Sequence, residues 1–239
     1  MTTPPIPMKE EFTVRPIAHI RTDFKEKFGI PRQSGRVEGL VGRILFLPEY
    51  QAAEALRGIE GFSHLWLLFD FSKAHKSEFS PTVRPPRLGG NERVGVFASR
   101  SPFRPNPIGL SVVKLIKIEK TENGLALVVE GADLLDGTPI LDIKPYLPHV
   151  DSIKDAVGGY ADEVNDYALQ VVFPDEYLRV IPPEKQAGLI GCLREDPRPS
   201  YQEDPTRIYH MLFAEFDVHF TVQNGVATVV GVTEQRGNL

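Results

Sequence analysis

The sequence predicts a mainly β protein with a small α+β module at its C-terminal end. Short runs of β-branched and aromatic residues follow one another through the first 150 residues, separated by Pro, Gly, Asn and Asp. The pairs Asn123-Gly124 and Asn224-Gly225 each lie between two such runs and are typical of β-hairpin turns. Because no long helical segments alternate with these runs, an antiparallel barrel or sandwich is favoured over a doubly wound sheet.

Strands and one short helix are predicted in the first part of the chain. The helix is predicted at 50–58, where helix-forming residues end at Gly58. The strands, each bounded by turn-forming residues, are 14–21, 36–47, 64–71, 93–99, 108–119, 124–131 and 138–144.

The composition changes after about residue 150. Residues 151–166 are polar and acidic and predict a linker or an exposed excursion. A helix is predicted from Pro182-Pro183-Glu184 to about Glu195, because proline and glutamate are both typical of a first helical turn. Strands are predicted at 208–222 and 226–232, and the expected domains are 1–155 and 156–239.

The composition also excludes several kinds of site. Cys192 is the single cysteine, which excludes an internal disulfide and a cysteine-based metal centre. The six histidines include no pair at the spacing of helical metal ligands, so no metal site is predicted. No apolar run approaches the roughly 18 residues of a membrane span, and Met1–Lys9 lacks the apolar block of a secretory signal. We therefore expect a cytoplasmic protein with no membrane partner.

The charge distribution indicates a phosphate-binding region within an acidic protein. The net charge is −5, and residues 151–239 carry 7 Lys and Arg against 15 Asp and Glu. Salt confines the field of a charge to about 8–10 Å, so a local basic cluster can bind phosphates whatever the total charge. Alternatively, these arginines are solvated or paired with distant carboxylates. The stretch from residue 84 to residue 104 contains one acidic residue. Its basic cluster consists of Arg84, Arg87, Arg93, Arg100 and Arg104.

The run from Phe97 to Ser111 predicts a rigid loop between two strands. It contains three prolines, and each proline restricts both its own φ and the residue before it. Ser101, Arg104 and Asn106 are the restricted residues. Polar groups held still in this way are typical of a small-ligand or catalytic site. The alternative is a stiff strand connection whose arginines have no special role.

Three further segments have the composition of binding loops. They are Phe28–Gly35, Phe79–Asn91 and Asp133–Pro148. In the last, a period of two places Ile140, Asp142 and Lys144 on one face of the predicted strand. The chain lacks the glycine spacing of the usual nucleotide-binding loops and the GxSxG nucleophile elbow, so a nucleotide-type cofactor would be bound in an unusual way.

Together these segments resemble the TsaA-like/TrmO family. The resemblance is dense over 14–150, and Asp196 to Tyr201 is similar to the family's C-terminal module. It implies a single-sheeted antiparallel β-barrel that binds S-adenosylmethionine, typically as a homodimer with the site at or near the subunit interface. It also implies methylation of N6 of threonylcarbamoyladenosine (t6A), immediately 3′ of the anticodon in threonine tRNA. The motifs that carry it are Pro31-Arg32-Gln33, Gly61 to Trp66, Thr82 to Asn91, Phe97 to Ser111 and Asp136 to Pro148.

The resemblance further implies which residues bind the cofactor and the RNA. The C-terminal module is expected to hold the anticodon stem-loop. Ser72 and Lys73 stand where the family often has a histidine and an amide. The cofactor candidates are Pro31, Arg32, Gln33, Ser72, Lys73, Arg100, Leu110, Ile140, Leu141, Asp142 and Ile143. The RNA-contact or site-support candidates are Arg84, Arg87, Arg93, Arg104, Arg198 and Tyr201.

A proton acceptor would assist the implied reaction, because an acylated nitrogen is a poor nucleophile. Asp136, Asp142 and Tyr146 are the available groups, and Asp142 is the hypothesised acceptor. Two other functions stay open from the sequence. One is a β module that binds RNA or a nucleotide without turnover, and the other is an S-adenosylmethionine enzyme that acts on a small molecule.

Overall fold

The computed structural model describes residues 11–85, 92–164, 167–198 and 204–235. The strands are β1 (Ala18–Arg21), β2 (Val41–Phe46), β3 (His64–Asp70), β4 (Thr82–Val83), β5 (Val94–Gly95), β6 (Ile108–Thr121), β7 (Gly124–Glu130), β8 (Pro139–Pro145), β9 (Gln170–Val172), β10 (Tyr209–Phe213), β11 (Phe216–Gln223) and β12 (Val226–Glu234). The α-helices are α1 (Pro148–Asp151), α2 (Asp175–Leu178) and α3 (Pro183–Arg194). Short 3-10 helices lie at Pro48–Tyr50, Ala53–Leu56, Ile59–Gly61, Val96–Ala98 and Gly159–Val164.

Six strands of the first half form one antiparallel sheet that closes into a barrel. The order is β1-β2-β7-β6-β3-β8, and β1 pairs with β2 along one edge and with β8 along the other. β6 and β7 form the predicted hairpin, in which Thr121 lies opposite Gly124. The prediction of a mainly β, antiparallel first half is confirmed.

Alternate residues of the barrel strands point inward and form the barrel core. In β3, Leu65, Leu67 and Phe69 are buried, whereas the residues between them are partly exposed. Side chains that can bind a ligand therefore lie on the outer face of the barrel and in the connections between its strands. The other members of this core include Ala18, Ile20, Ile44, Val113, Leu127, Val129 and Ile140.

The C-terminal unit is a four-stranded sheet with α3 packed against it. The sheet order is β10-β11-β12-β9, and β9 runs parallel to β12. Its core also contains Phe24, Val37 and Leu40, which come from the connection between β1 and β2. Cys192 is buried in α3. Among the described helices, none has the length and apolar character needed to cross a bilayer.

Two predicted elements differ from the structure. The strand expected at 93–99 is limited to Val94–Gly95, and the chain then turns into the 3-10 helix Val96–Ala98. The helix expected at 50–58 is a series of 3-10 turns. Both segments lie outside the closed sheet. β5 pairs with the two-residue strand β4, and each 3-10 turn has three or four residues, too few for a stable α-helix.

The run expected as one strand at 208–222 is a hairpin of two strands. β10 ends at Phe213, β11 begins at Phe216, and Ala214 between them has a φ of 53°. The alternation of buried apolar residues shifts by one position across this break, from odd positions that end at Phe213 to even positions that begin at Phe216, and these two residues pair with each other. This shift in phase is the sequence signal that marks the turn.

A β-bulge in β8 overturns the expectation that Ile140, Asp142 and Lys144 share a face. Leu68 pairs with Asp142 and Phe69 pairs with Ile140, so Leu141 is an additional residue on β8. Phe69 and Ile140 point into the core. Beyond the bulge, Asp142 and Lys144 lie on the outer face, opposite Leu68 and Trp66.

We expect Gly109→Ala to destabilise the barrel by about 1–3 kcal/mol, as overpacking of a core does. Gly109 pairs with Phe69, and a Cβ at this position would lie 2.2 Å from the Phe69 ring. Urea unfolding measures the free energy of unfolding. Gly95→Ala is the matched control, because a Cβ there meets none of the described residues within 4 Å. Equal stability of the two variants would contradict the prediction.

Candidate functional site

Two of the predicted binding loops meet beside β6. The Arg100 guanidinium donates from Nη1 to Oε1 of Gln33 at 2.7 Å, which joins the proline-rich loop to the connection between β1 and β2. The next residue, Ser34, accepts a hydrogen bond from the Val112 amide of β6 at 3.1 Å. Both side chains of the Arg100–Gln33 pair are in exposed residues, so they can reach a ligand.

A largely buried carboxylate, Asp133, interacts electrostatically with Arg100. Ser111, which is 3% exposed, donates its hydroxyl to Asp133 at 2.6 Å. Burial raises the pKa of Asp133, while the Ser111 hydrogen bond and the Arg100 charge act in the opposite direction. Sequence analysis did not select either residue. A serine within the apolar run of β6 is the signal that could have revealed the pair, because a buried hydroxyl needs a partner.

An apolar strip lies on the outer face of the barrel and begins on β6, the strand that follows the proline-rich loop. Leu110 of β6, Leu68 of β3 and Asp142 of β8 lie side by side across three strands. Leu110 is 48% exposed and Ile108, two residues earlier on the same face, is 44% exposed. The barrel therefore presents apolar side chains to solvent on the strand that follows the Arg100 loop, an arrangement that suits a ligand with a flat ring and an acidic group.

Asp142 lies at the edge of this strip in an exposed ion pair. Its Oδ2 is 2.8 Å from the Lys144 Nζ, and its Oδ1 accepts the Ile143 amide at 2.9 Å. Its side chain is 45% exposed, so the pair contributes little to stability. Ile143 lies opposite Leu67 and packs against the barrel core, as Ile140 does, whereas Leu141 occupies the bulge.

The other two candidate proton acceptors are placed differently. Tyr146 packs against Trp66, with ring centroids 5.7 Å apart, and its amide donates to the His64 carbonyl. Asp136 accepts from the Lys25 ammonium at 2.7 Å and from the Thr22 amide. Partial burial opposes these contacts, but they lower the pKa of Asp136 overall, which makes it a weaker base.

The weaker cofactor candidates, Ser72 and Lys73, lie in the exposed turn after β3. This turn is tied to the proline-rich loop, because the Phe71 amide donates to the Pro107 carbonyl at 2.8 Å. Pro31 is buried, and Arg32 donates to the carbonyls of Asp196 and Arg198 in the C-terminal unit. Arg32 and Gln33 are thus adjacent in sequence but reach different parts of the molecule.

The arginines predicted to contact RNA fall into two groups. Arg84 and Arg93 are exposed beside the β4–β5 ladder, and Arg93 Nε donates to the Thr82 hydroxyl at 2.9 Å. Arg104 donates to the carbonyls of Ser99 and Ser101, which stiffens its own loop. These assignments remain predictions.

Of the remaining RNA candidates, the structure describes Arg198, which lies in the C-terminal unit after α3. Arg198 makes a two-pronged ion pair with Asp196, at 2.8 and 2.9 Å, and its side chain is 12% exposed. Arg87 and Tyr201 lie outside the described residues. The structure therefore engages the Arg198 guanidinium internally, and its contact with RNA remains a prediction.

Two exposed phenylalanines near the arginines were missed by sequence analysis. Phe79 and Phe97 are 56% and 75% exposed, and their rings stack with centroids 6.4 Å apart. Exposed aromatic rings beside basic residues are typical of surfaces that stack nucleic-acid bases. The sequence does not reveal this pair because the two residues are far apart along the chain. They meet only because β4 pairs with β5.

We expect Asp133→Asn to change how stability depends on pH. The pKa of Asp133 is higher in the folded protein than in the unfolded chain, so this carboxyl favours folding most at a pH below its unfolded pKa of about 3.9. That contribution to stability is lost as the pH rises through the pKa of the folded protein. The variant lacks this loss, so its free energy of unfolding relative to the parent increases between pH 4 and pH 7, by about 1.4 kcal/mol per unit of raised pKa.

Urea unfolding at several pH values measures this difference. Replacing the carboxylate also changes its hydrogen bonds, which adds an offset that does not depend on pH. Asp155→Asn, at an exposed position, is the control. Parallel pH profiles for the parent and Asp133→Asn would contradict the prediction.

Comparison with known proteins places the chain in a family along nearly its whole length. Residues 19–152 match the tRNA-methyltransferase O N-terminal domain, and residues 167–235 match the TrmO C-terminal domain. The tRNA (adenine(37)-N6)-methyltransferase of Escherichia coli is 41% identical over 219 residues, which is 88% of this chain and 93% of that protein. A putative S-adenosylmethionine-dependent methyltransferase of Pseudomonas aeruginosa, RcsF, is 45% identical over 216 residues, 87% of this chain and 91% of that protein.

A solved structure agrees with these matches. The crystal structure of TrmO from Pseudomonas aeruginosa superimposes with a TM-score of 0.75 at 36% identity, and the match covers 94% of this chain and 100% of that one. The sequence motifs, the fold and the relatives agree, and the chain belongs to the tRNA-methyltransferase O family.

Proposed function

We propose that this chain is a tRNA (adenine(37)-N6)-methyltransferase. It transfers the methyl group of S-adenosylmethionine to N6 of t6A next to the anticodon of threonine tRNA. The observation that carries the proposal is the Arg100–Gln33 pair, which interacts with the largely buried Asp133 carboxylate and precedes an exposed apolar strip on β6, in a chain of this family. Family membership supports the reaction, and the geometry supports the place where it occurs.

The residues around Arg100 fit S-adenosylmethionine by their chemistry. A guanidinium pairs with a carboxylate such as the one the cofactor carries, and the Gln33 amide can both donate and accept. Leu110 and Leu68 offer an apolar surface for a purine ring. The cofactor supplies an activated methyl group when bound. The protein's part is to hold the acceptor nitrogen in line with that group and exclude water, which can contribute roughly 7–11 kcal/mol.

Asp142 is the proposed proton acceptor. It lies on the outer face beside Leu68, on the same side of the sheet as the apolar strip. Arg100, Gln33 and Leu110 would hold the cofactor, which would supply its methyl group to N6 and leave as S-adenosylhomocysteine. The N6 proton passes to the Asp142 carboxylate, which can accept it because its side chain is accessible.

The surface that binds the anticodon stem-loop is proposed to include Arg84, Arg93 and the stacked Phe79–Phe97 pair. Arginines bind phosphates and exposed rings stack on splayed bases, so the two kinds of residue together suit a single-stranded loop. The C-terminal unit is proposed to hold the stem. The protein is further proposed to act in the cytoplasm as a homodimer, with the exposed apolar side chains of β6 near the interface.

A methyl-transfer assay tests the proposed function. The full chain is incubated with S-adenosylmethionine carrying a labelled methyl group and with threonine tRNA that either carries or lacks t6A. We expect one methyl per tRNA, on N6 of the modified adenosine, and none on tRNA that lacks t6A. Binding of tRNA without methyl release would indicate a module without turnover. Transfer to a small molecule but not to tRNA would indicate a different enzyme.

We expect Arg100→Ala to weaken S-adenosylmethionine binding roughly 10- to 100-fold, the effect of losing a charged hydrogen bond. Isothermal titration calorimetry measures the affinity. Arg57→Ala, at an exposed position between β2 and β3, is the control and is expected to bind like the parent. Unchanged affinity in Arg100→Ala would remove the proline-rich loop from the cofactor site.

We expect Asp142→Asn to lower kcat by roughly 100-fold or more at saturating cofactor, because the amide cannot accept the proton. Affinity for the cofactor should change little by comparison. Lys144→Met is the matched control, since it removes the partner of Asp142 but keeps the carboxylate. Normal turnover in Asp142→Asn would exclude this residue as the proton acceptor.

A further inference from the structure

The outer face of the C-terminal sheet carries two histidines and a carboxylate side by side. β10 and β11 are antiparallel, and their register places His210 directly opposite His219. Asp217 precedes His219 by two residues on β11, so both side chains point to the same face. The alternate residues Met211 and Val218 belong to the buried core, which puts the three polar side chains on the opposite face.

The distances between the three side chains match those between the ligands of one metal ion. Asp217 Oδ2 is 3.2 Å from Nδ1 of His210 and 3.2 Å from Nε2 of His219. All three ligand atoms lie within 4.8 Å of one another. Two ligands of a tetrahedral Zn²⁺ ion, each at about 2.0–2.1 Å, are about 3.3 Å apart. A small rotation of the imidazoles would complete the arrangement.

Two buried atoms in this cluster lack a hydrogen-bond partner. They are Oδ1 of Asp217 and Nε2 of His219, judged against the residues that the structure describes. The 3.2 Å contact between Nε2 and Oδ2 has the distance of an ion pair but is not aligned as a hydrogen bond. Buried polar atoms normally have a hydrogen-bond partner, so these two atoms indicate a ligand that accepts their lone pairs.

The neighbouring strand leaves space for the cluster. Gly231 of β12 pairs with His219, and a Cβ at this position would lie 3.2 Å from the imidazole Nδ1. A glycine here leaves room for the imidazole ring beside β12. The sheet therefore accommodates the imidazole at the position that brings Nε2 to Asp217.

We propose that His210, Asp217 and His219 bind one divalent transition-metal ion, with Zn²⁺ as the best match and water completing its coordination. Imidazole and carboxylate are donors that Zn²⁺ accepts, and three protein ligands leave a position for water. The ion links β10 to β11 on the solvent side of the C-terminal sheet. The site uses none of the residues assigned to methyl transfer, so it stands whether or not that assignment is correct.

Metal titration of the full chain tests the site. The protein carries no affinity tag, and bound metals are first removed with a chelator. Calorimetry with Zn²⁺ and visible absorption with Co²⁺ report the stoichiometry and the geometry. We expect one equivalent to bind with the absorption of tetrahedral Co²⁺ and to raise the thermal unfolding temperature. His210→Asn and Asp217→Asn should weaken Zn²⁺ binding by more than the roughly 10- to 100-fold that follows removal of an outer-shell partner.

Two further variants separate this site from weak binding by other histidines. His149→Asn removes an exposed histidine elsewhere and should bind Zn²⁺ like the parent. Gly231→Ala keeps all three ligands but crowds His219, and should weaken binding. His210 is exposed, so its variant is expected to fold, which unfolding without metal verifies. Absence of stoichiometric binding by the parent, or parent-like binding by His210→Asn, would overturn the proposal.

Discussion

Closure of the barrel through β1 is the constraint on which the rest of the structure depends. β1 has four residues, and it pairs with β2 on one side and β8 on the other. A closed sheet has no free edge, so its strands cannot bind a ligand by adding another strand. Its interior is filled by apolar side chains. Binding and catalysis are therefore confined to the outer face and to the connections between strands.

One of these connections joins the two halves of the molecule. Between β1 and β2 the chain contributes Phe24 and Val37 to the C-terminal core before it returns to the barrel. Arg32, on the same connection, bonds to carbonyls of the C-terminal unit, while Gln33 bonds to Arg100. The adjacent residues Arg32 and Gln33 therefore connect the C-terminal unit to Arg100.

Asp133 is a largely buried carboxylate that joins β6 to the loops beside it. An unpaired carboxylate in such a position is costly, and the cost is reduced by the Ser111 hydroxyl and by the charge of Arg100. These contacts restrict the loops on either side of β6. The proline-rich loop is restricted in addition by Arg104, whose guanidinium bonds to its own backbone.

The sequence predicted those features that depend on neighbours along the chain. The β6–β7 hairpin follows from the turn at Asn123-Gly124, and α3 follows from its first-turn prolines and glutamate. Arg100 and Gln33 were selected from their loops and their resemblance to a family, and the structure brings them into contact. The turn at Ala214 was missed, although the alternation of buried apolar residues shifts by one position there.

Features that depend on neighbours across strands were decided only by the tertiary structure. The bulge at Leu141 separates Ile140 from Asp142, since the register with β3 and not the period of two determines which residue faces the core. His210 and His219 are nine residues apart, a spacing without meaning on a helix, yet they lie opposite each other on paired strands. The sequence by itself determined the β character, the two hairpins with Asn-Gly turns and the family. The tertiary structure alone decided which side chains meet, because strand pairing joins residues that no local pattern connects.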